Sequence, residues 1–76
     1  MPIYFQFNGI KIVLYFNEHN PPHFHAMYAE YEALIEINSL SVFRGKLPKK
    51  KEQEVLKWAK KNQKLLVEIW NANHPA

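Results

Sequence analysis

Three of the chain's four histidines fall within seven residues, in His19-Asn20-Pro21-Pro22-His23-Phe24-His25. An imidazole nitrogen can ligate a divalent metal or move a proton near neutral pH, so such a cluster is where chemistry is first sought. His23 and His25 stand at i and i+2. On a strand, that spacing puts both rings on one face and Phe24 on the other. With His19 across the turn and Glu36 or Glu32 nearby, these rings supply three or four nitrogen and oxygen ligands to a divalent metal. The same residues also make a metal-free catalytic set of His19, His23, His25 and Glu36, in which one ring is base and another acid. A third reading is structural, with the rings hydrogen-bonding a loop and capping the sheet edge. The spacing is a weak motif and leaves all three open.

The elements around the cluster follow from local patterns. Pro21 and Pro22 each fix φ near −65° and lack an N–H, so the segment is neither helix nor inner strand. Before it, Asn8-Gly9 is the preferred pair for a two-residue hairpin turn, where both positions need positive φ. Pairing about that turn sets Phe7 opposite Ile10, Phe5 opposite Ile12 and Ile3 opposite Leu14 on one apolar face. Gln6 with Lys11 and Tyr4 with Val13 fall on the other. A third strand is expected over 23–28 and a fourth over 32–37. A two-residue turn at Ala29-Glu30 pairs His25 with Leu34 and His23 with Glu36, whereas a four-residue turn pairs His25 with Glu36. Both keep Glu36 on the histidine face, because the registers differ by two. A short fifth strand over 41–44 ends at Gly45.

Pro48 is expected at the first position of a C-terminal helix. There Val55, Trp58, Ala59, Leu65, Leu66, Ile69 and Trp70 fall within about 140° of the helical wheel. The expected fold is therefore α+β: a curved antiparallel sheet of four to five strands (3–44) packed on one helix (48–72), a single domain over 1–76, with a frayed tail over 71–76.

At 76 residues and no cysteine, the chain is near the lower limit for a single core, and disulfides cannot help it. Eleven aromatic residues (five Phe, four Tyr, two Trp) supply much of the area to bury. Pairing with a copy of itself, a homodimer, is one further source of stability. The sequence shows neither a basic-then-apolar leader nor an apolar run able to span a bilayer, which makes a cytoplasmic location the expectation.

The net charge of +3 is unevenly spread. Residues 1–43 hold Lys11 against Glu18, Glu30, Glu32 and Glu36, whereas 44–64 hold nine cations against Glu52 and Glu54. Arg44, Lys46, Lys49, Lys50, Lys51, Lys57, Lys61 and Lys64 are the candidates for an anionic partner such as RNA. Lys49, Lys50 and Lys51 lie in the first helical turn, where the macrodipole disfavours each by about 0.3–1 kcal/mol. Free N–H groups and lysines there would together hold an anion. The bland alternative is a solvated helix face. Tyr4 and Tyr15 are on the face the helix leaves uncovered, where rings either stack on bases or pack.

The chain also resembles a family. Met1-Pro2-Ile3, His19-Asn20-Pro21-Pro22-His23-Phe24-His25-Ala26, Tyr31-Glu32-Ala33, Gly45-Lys46-Leu47-Pro48 and Val55-Leu56-Lys57-Trp58-Ala59 are similar to the small bacterial proteins of domain of unknown function 4160. Members often have glycines between the tyrosines of strands three and four, where this chain has Ala29-Glu30. The resemblance implies a toxin–antitoxin component, a cognate antitoxin-like partner and an RNA or ribosome target. It implies no settled activity. The leading expectation is thus a toxin-type component that meets RNA through its basic helix and histidine loop, acting, if an enzyme, as a metal-independent ribonuclease or a metal-dependent hydrolase. No cofactor is required by the first scheme. A divalent metal on His19, His23 and His25 is required by the second, and a non-enzymatic module that docks a partner protein is the third reading.

Overall fold

A computed structural model describes residues 3–74; Met1 and Pro2 of the family pattern, and residues 75–76, lie outside the described residues. Five antiparallel strands follow in chain order across one open sheet: β1 (Ile3–Phe7), β2 (Ile10–Leu14), β3 (His23–Tyr28), β4 (Tyr31–Glu36) and β5 (Val42–Lys46). The β1–β2 hairpin has the expected register, with Asn8 (φ 49°) and Gly9 (φ 78°) both left-handed. Its turn is tied to the helical layer. Asn8 Nδ2 donates to Glu54 Oε1 at 3.0 Å, and Lys51 Nζ donates to the Asn8 carbonyl at 3.0 Å.

The β3–β4 turn is the two-residue one, setting His25 opposite Leu34 and His23 opposite Glu36. Ala29 accepts φ 52° to make it, a cost of about 1–2 kcal/mol. In return the strands stay paired from His23–Glu36 to Tyr28–Tyr31.

Two features of β5 depart from the pattern. The strand runs on through Gly45 to Lys46, and its register shifts between Leu34 and Ile35. Arg44 pairs with Leu34 while Val42 pairs with Ile35, so Phe43 is the extra residue of a bulge. Gly45 (φ 74°) lies so close to β4 that a Cβ there would collide with the Glu32 carbonyl.

The single expected helix is two: α1 (Lys49–Lys61) and α2 (Gln63–Asn73), broken at Asn62 (φ −113°, ψ 15°). The Asn62 side chain donates to the Trp58 carbonyl at 2.8 Å, and Gln63 Nε2 donates to the Ile37 and Asn38 carbonyls at 2.8 and 3.0 Å. The first bond satisfies a carbonyl at the end of α1, and the other two tie the start of α2 to the segment after β4. Pro48 precedes α1 in an extended conformation (ψ 141°) rather than opening it, and its carbonyl accepts the first helical bond from Glu52. Instead of a frayed tail, α2 continues to Asn73, and the His74 ring stacks on Trp70.

Both helices cover the apolar face. Val55 and Ala59 of α1, with Leu66 and Trp70 of α2, are buried against Ile10, Ile12, Leu14, Phe24, Ala26, Ala33, Ile35 and Ile37. Trp58 packs beside Phe5 and Phe7, with ring centres 5.2 and 5.4 Å apart. Leu65 is an exception to the wheel, at 43% exposed. No helix among the described residues is long and apolar enough to cross a membrane.

Candidate metal centre

The outer face of the sheet holds the histidines. Because β2 pairs Val13 with His25 and β4 pairs Leu34 with His25, that ring sits mid-sheet on the side away from the helices. His23, two residues earlier on the same face, is the first residue of β3, and its ring centre lies 5.4 Å from that of Trp70 of α2. The two imidazole centres are 5.5 Å apart. They are together as the i, i+2 spacing requires, yet not open to solvent: His23 is 6% and His25 13% exposed. Tyr15 meets His25 edge-on at 4.8 Å, and the bulge aims Phe43 edge-on at His23 at 5.5 Å.

The carboxylate that completes the cluster is Glu18, from the loop between β2 and β3. Its Oε1 takes a short contact from His25 Nε2 and lies 3.4 Å from His23 Nε2. One donor atom from each of Glu18, His23 and His25 falls within 4.8 Å of the others. Glu18 is held below the usual carboxylate range, first by the His25 hydrogen bond and then by the charges of His25 and His23, against an opposing effect of burial.

Both rings are fixed from behind. His23 Nδ1 donates to the Pro21 carbonyl at 2.7 Å, which leaves the Nε2 lone pair turned toward Glu18. Pro22 anchors the same loop, its carbonyl accepting the Ile37 N–H at 2.9 Å. His25 Nδ1 contacts Glu32 Oε2 at 2.9 Å. An Nδ1–H held by a carbonyl or carboxylate, with Nε2 facing inward, is how proteins orient metal-binding imidazoles.

Other expected site residues lie elsewhere. His19 is exposed and lines a cleft of about 410 Å³ with Glu18, Asn20, Pro22, Trp70, Asn71 and His74, so it adjoins the three-residue group through Glu18 without being part of it. Glu36 shares the face and pairs in register with His23, but its carboxylate takes the Ser39 hydroxyl instead. Glu18 stands where His19 was expected, and Glu32 is the carboxylate that orients a ring.

The cations divide into three groups. Lys51 is a structural residue, bonded to Asn8, 3.6 Å from Glu54 and lying over the Tyr28 ring. Lys57 and Lys61 border a groove with Phe7 and Trp58, and Lys49, Lys50 and Lys64 are exposed. Arg44 and Lys46 belong to the outer face of the sheet, opposite Leu34 and Glu32.

Fold and site define a small α+β protein with a half-enclosed His–His–Glu cluster on the outer sheet face. The family model for domain of unknown function DUF4160 matches residues 9–71, and the chain belongs to that family. No curated protein and no solved structure gives a significant match.

Proposed function

We propose that Glu18, His23 and His25 hold a divalent transition-metal cation. Support comes from one observation above the rest: three donors converge within 4.8 Å while both Nδ1 atoms are tethered outside the cluster. Two imidazoles and a carboxylate suit zinc, or iron and manganese in the facial arrangement. Three protein ligands leave at least one position for water or substrate, the pattern of a hydrolytic centre rather than of a closed structural one.

The metal-free acid–base scheme fares less well. His25 meets a carboxylate at each ring nitrogen, Glu18 at Nε2 and Glu32 at Nδ1, which leaves it no nitrogen to offer a substrate. That leaves His23 Nε2, with His19 in the adjoining cleft, to share the two roles. A cation removes the difficulty by replacing the proton between His25 Nε2 and Glu18.

The toxin–antitoxin setting, with an antitoxin-like partner, is the context in which we propose this centre acts. Metal titration by calorimetry tests the centre, with zinc and manganese binding at one equivalent expected for the wild type and lost in His25→Ala. Induced expression in a bacterial host tests the setting. Wild type should slow growth and His25→Ala should not; normal growth with the wild type would remove the toxin reading.

A further inference from the structure

We infer that the outer face of the sheet, with Tyr4 and Phe43 as its aromatic platform and Arg44 and Lys46 as its cations, binds single-stranded nucleic acid. Three large apolar residues are exposed among the described ones, and two of them are aromatic rings on this face: Tyr4 at 56% and Phe43 at 46%. Tyr4 lies on it because it pairs with Val13, which in turn pairs with His25. Phe43 lies on it because the bulge turns its ring onto His23. The rings occupy the two edge strands, four strand spacings apart, or about 19 Å at ~4.8 Å each. A duplex hides its base faces, whereas an unstacked strand offers them to such rings.

On this face three cations stand among three carboxylates, Glu18, Glu32 and Glu36. Register puts Lys11, Arg44 and Lys46 here, opposite Met27, Leu34 and Glu32. Among the described residues none of the three cations is within ion-pair distance of a carboxylate, although Lys46 stands across from Glu32. The carboxylates are engaged otherwise. Glu18 and Glu32 both meet His25, and Glu36 takes Ser39. Lys11 instead lies over the Tyr4 ring, 4.7 Å from its centre. Arg44 and Lys46, without carboxylate partners and beside the exposed Phe43 ring, are what a phosphate-linked chain of bases would use. Gly45 keeps Arg44 and Lys46 in register by letting β5 lie against β4. This surface is distinct from the lysines of α1, and binding to it needs no cation at the histidine centre.

Fluorescence anisotropy with a labelled mixed-sequence RNA dodecamer, its DNA counterpart and the matching RNA duplex tests the inference. All measurements are made with chelator present, so that loss of the metal centre leaves the result unaffected. Both single strands should bind saturably at low salt, and more tightly than the duplex. Phe43→Ala and Tyr4→Ala should each weaken binding about 5- to 150-fold with the salt slope kept. Arg44→Ala and Lys46→Ala should each flatten the log–log salt slope by about 0.7. All four side chains are solvent-exposed, so circular dichroism should report unchanged folding. Equal or tighter duplex binding, no saturable single-strand binding, or binding that ignores these four substitutions but disappears with Lys57→Ala/Lys61→Ala would overturn it.

Discussion

Replacing Glu32 by glutamine separates a metal centre from a merely packed histidine pair. Glu32 does not touch the proposed cation. Its Oε2 accepts from His25 Nδ1 at 2.9 Å, and its side chain is about half exposed. Glutamine keeps the length and an accepting oxygen but removes the charge that orients the ring and makes Nε2 a better donor. Losing such an outer partner weakens metal binding about 10- to 100-fold, or ~1.4–2.7 kcal/mol. The unloaded protein should lose only about 0–1 kcal/mol, because an exposed charged contact contributes little to folding. Competitive zinc titration gives the first quantity and denaturant unfolding in chelator the second. Glu36→Gln is the control, since Glu36 faces His23 across the ladder but is engaged by Ser39. Equal zinc affinity in wild type and Glu32→Gln, or an equal loss in Glu36→Gln, would refute the reasoning.

Other consequences are open to direct measurement. Gly45→Ala should cost about 1–3 kcal/mol in chemical unfolding, because it meets both a left-handed φ of 74° and the Glu32 carbonyl. Leu66→Ala, at a fully buried position between α2 and the sheet, should cost about 2–5 kcal/mol. Glu18 has a folded-state pKa below its ordinary 4.5, so its contribution to stability is complete above that pH and disappears as pH falls through the lower folded value. Melting temperatures of metal-free wild type and Glu18→Gln should therefore differ near neutrality and converge in acid. A gap that widens on acidification would contradict the assigned direction.

Much of the scaffold was legible because it rests on local rules. Asn8-Gly9 specifies its hairpin register, and alternation assigns each side chain of β1 to β4 to a face. The histidine pair followed from an i, i+2 spacing on one of those strands. Glu18 was not legible as a site residue, since it sits in an irregular loop where no periodicity predicts direction. One signal did exist: β2 pairs with β3, so the loop joining them must return over the rings that open β3. The turn at Ala29-Glu30 hides its left-handed residue behind an alanine, and only the pairing of the flanking strands requires it. The helix break at Asn62 left only a faint mark: the core-facing positions between Ala59 and Leu66 are the polar Asn62 and Gln63, yet Leu66 resumes the 3.6-residue pattern. The Phe43 bulge leaves no mark in a strand of five residues.

X-ray absorption of zinc-loaded protein at one equivalent, purified without added chelator, reads the Glu18–His23–His25 centre directly. Two imidazole nitrogens at about 2.0–2.1 Å and a carboxylate oxygen at about 2.0–2.2 Å are expected, with lighter scatterers completing the shell. Zinc that fails to remain bound, or a spectrum unchanged when Glu18, His23 and His25 are replaced, would contradict a metal centre there.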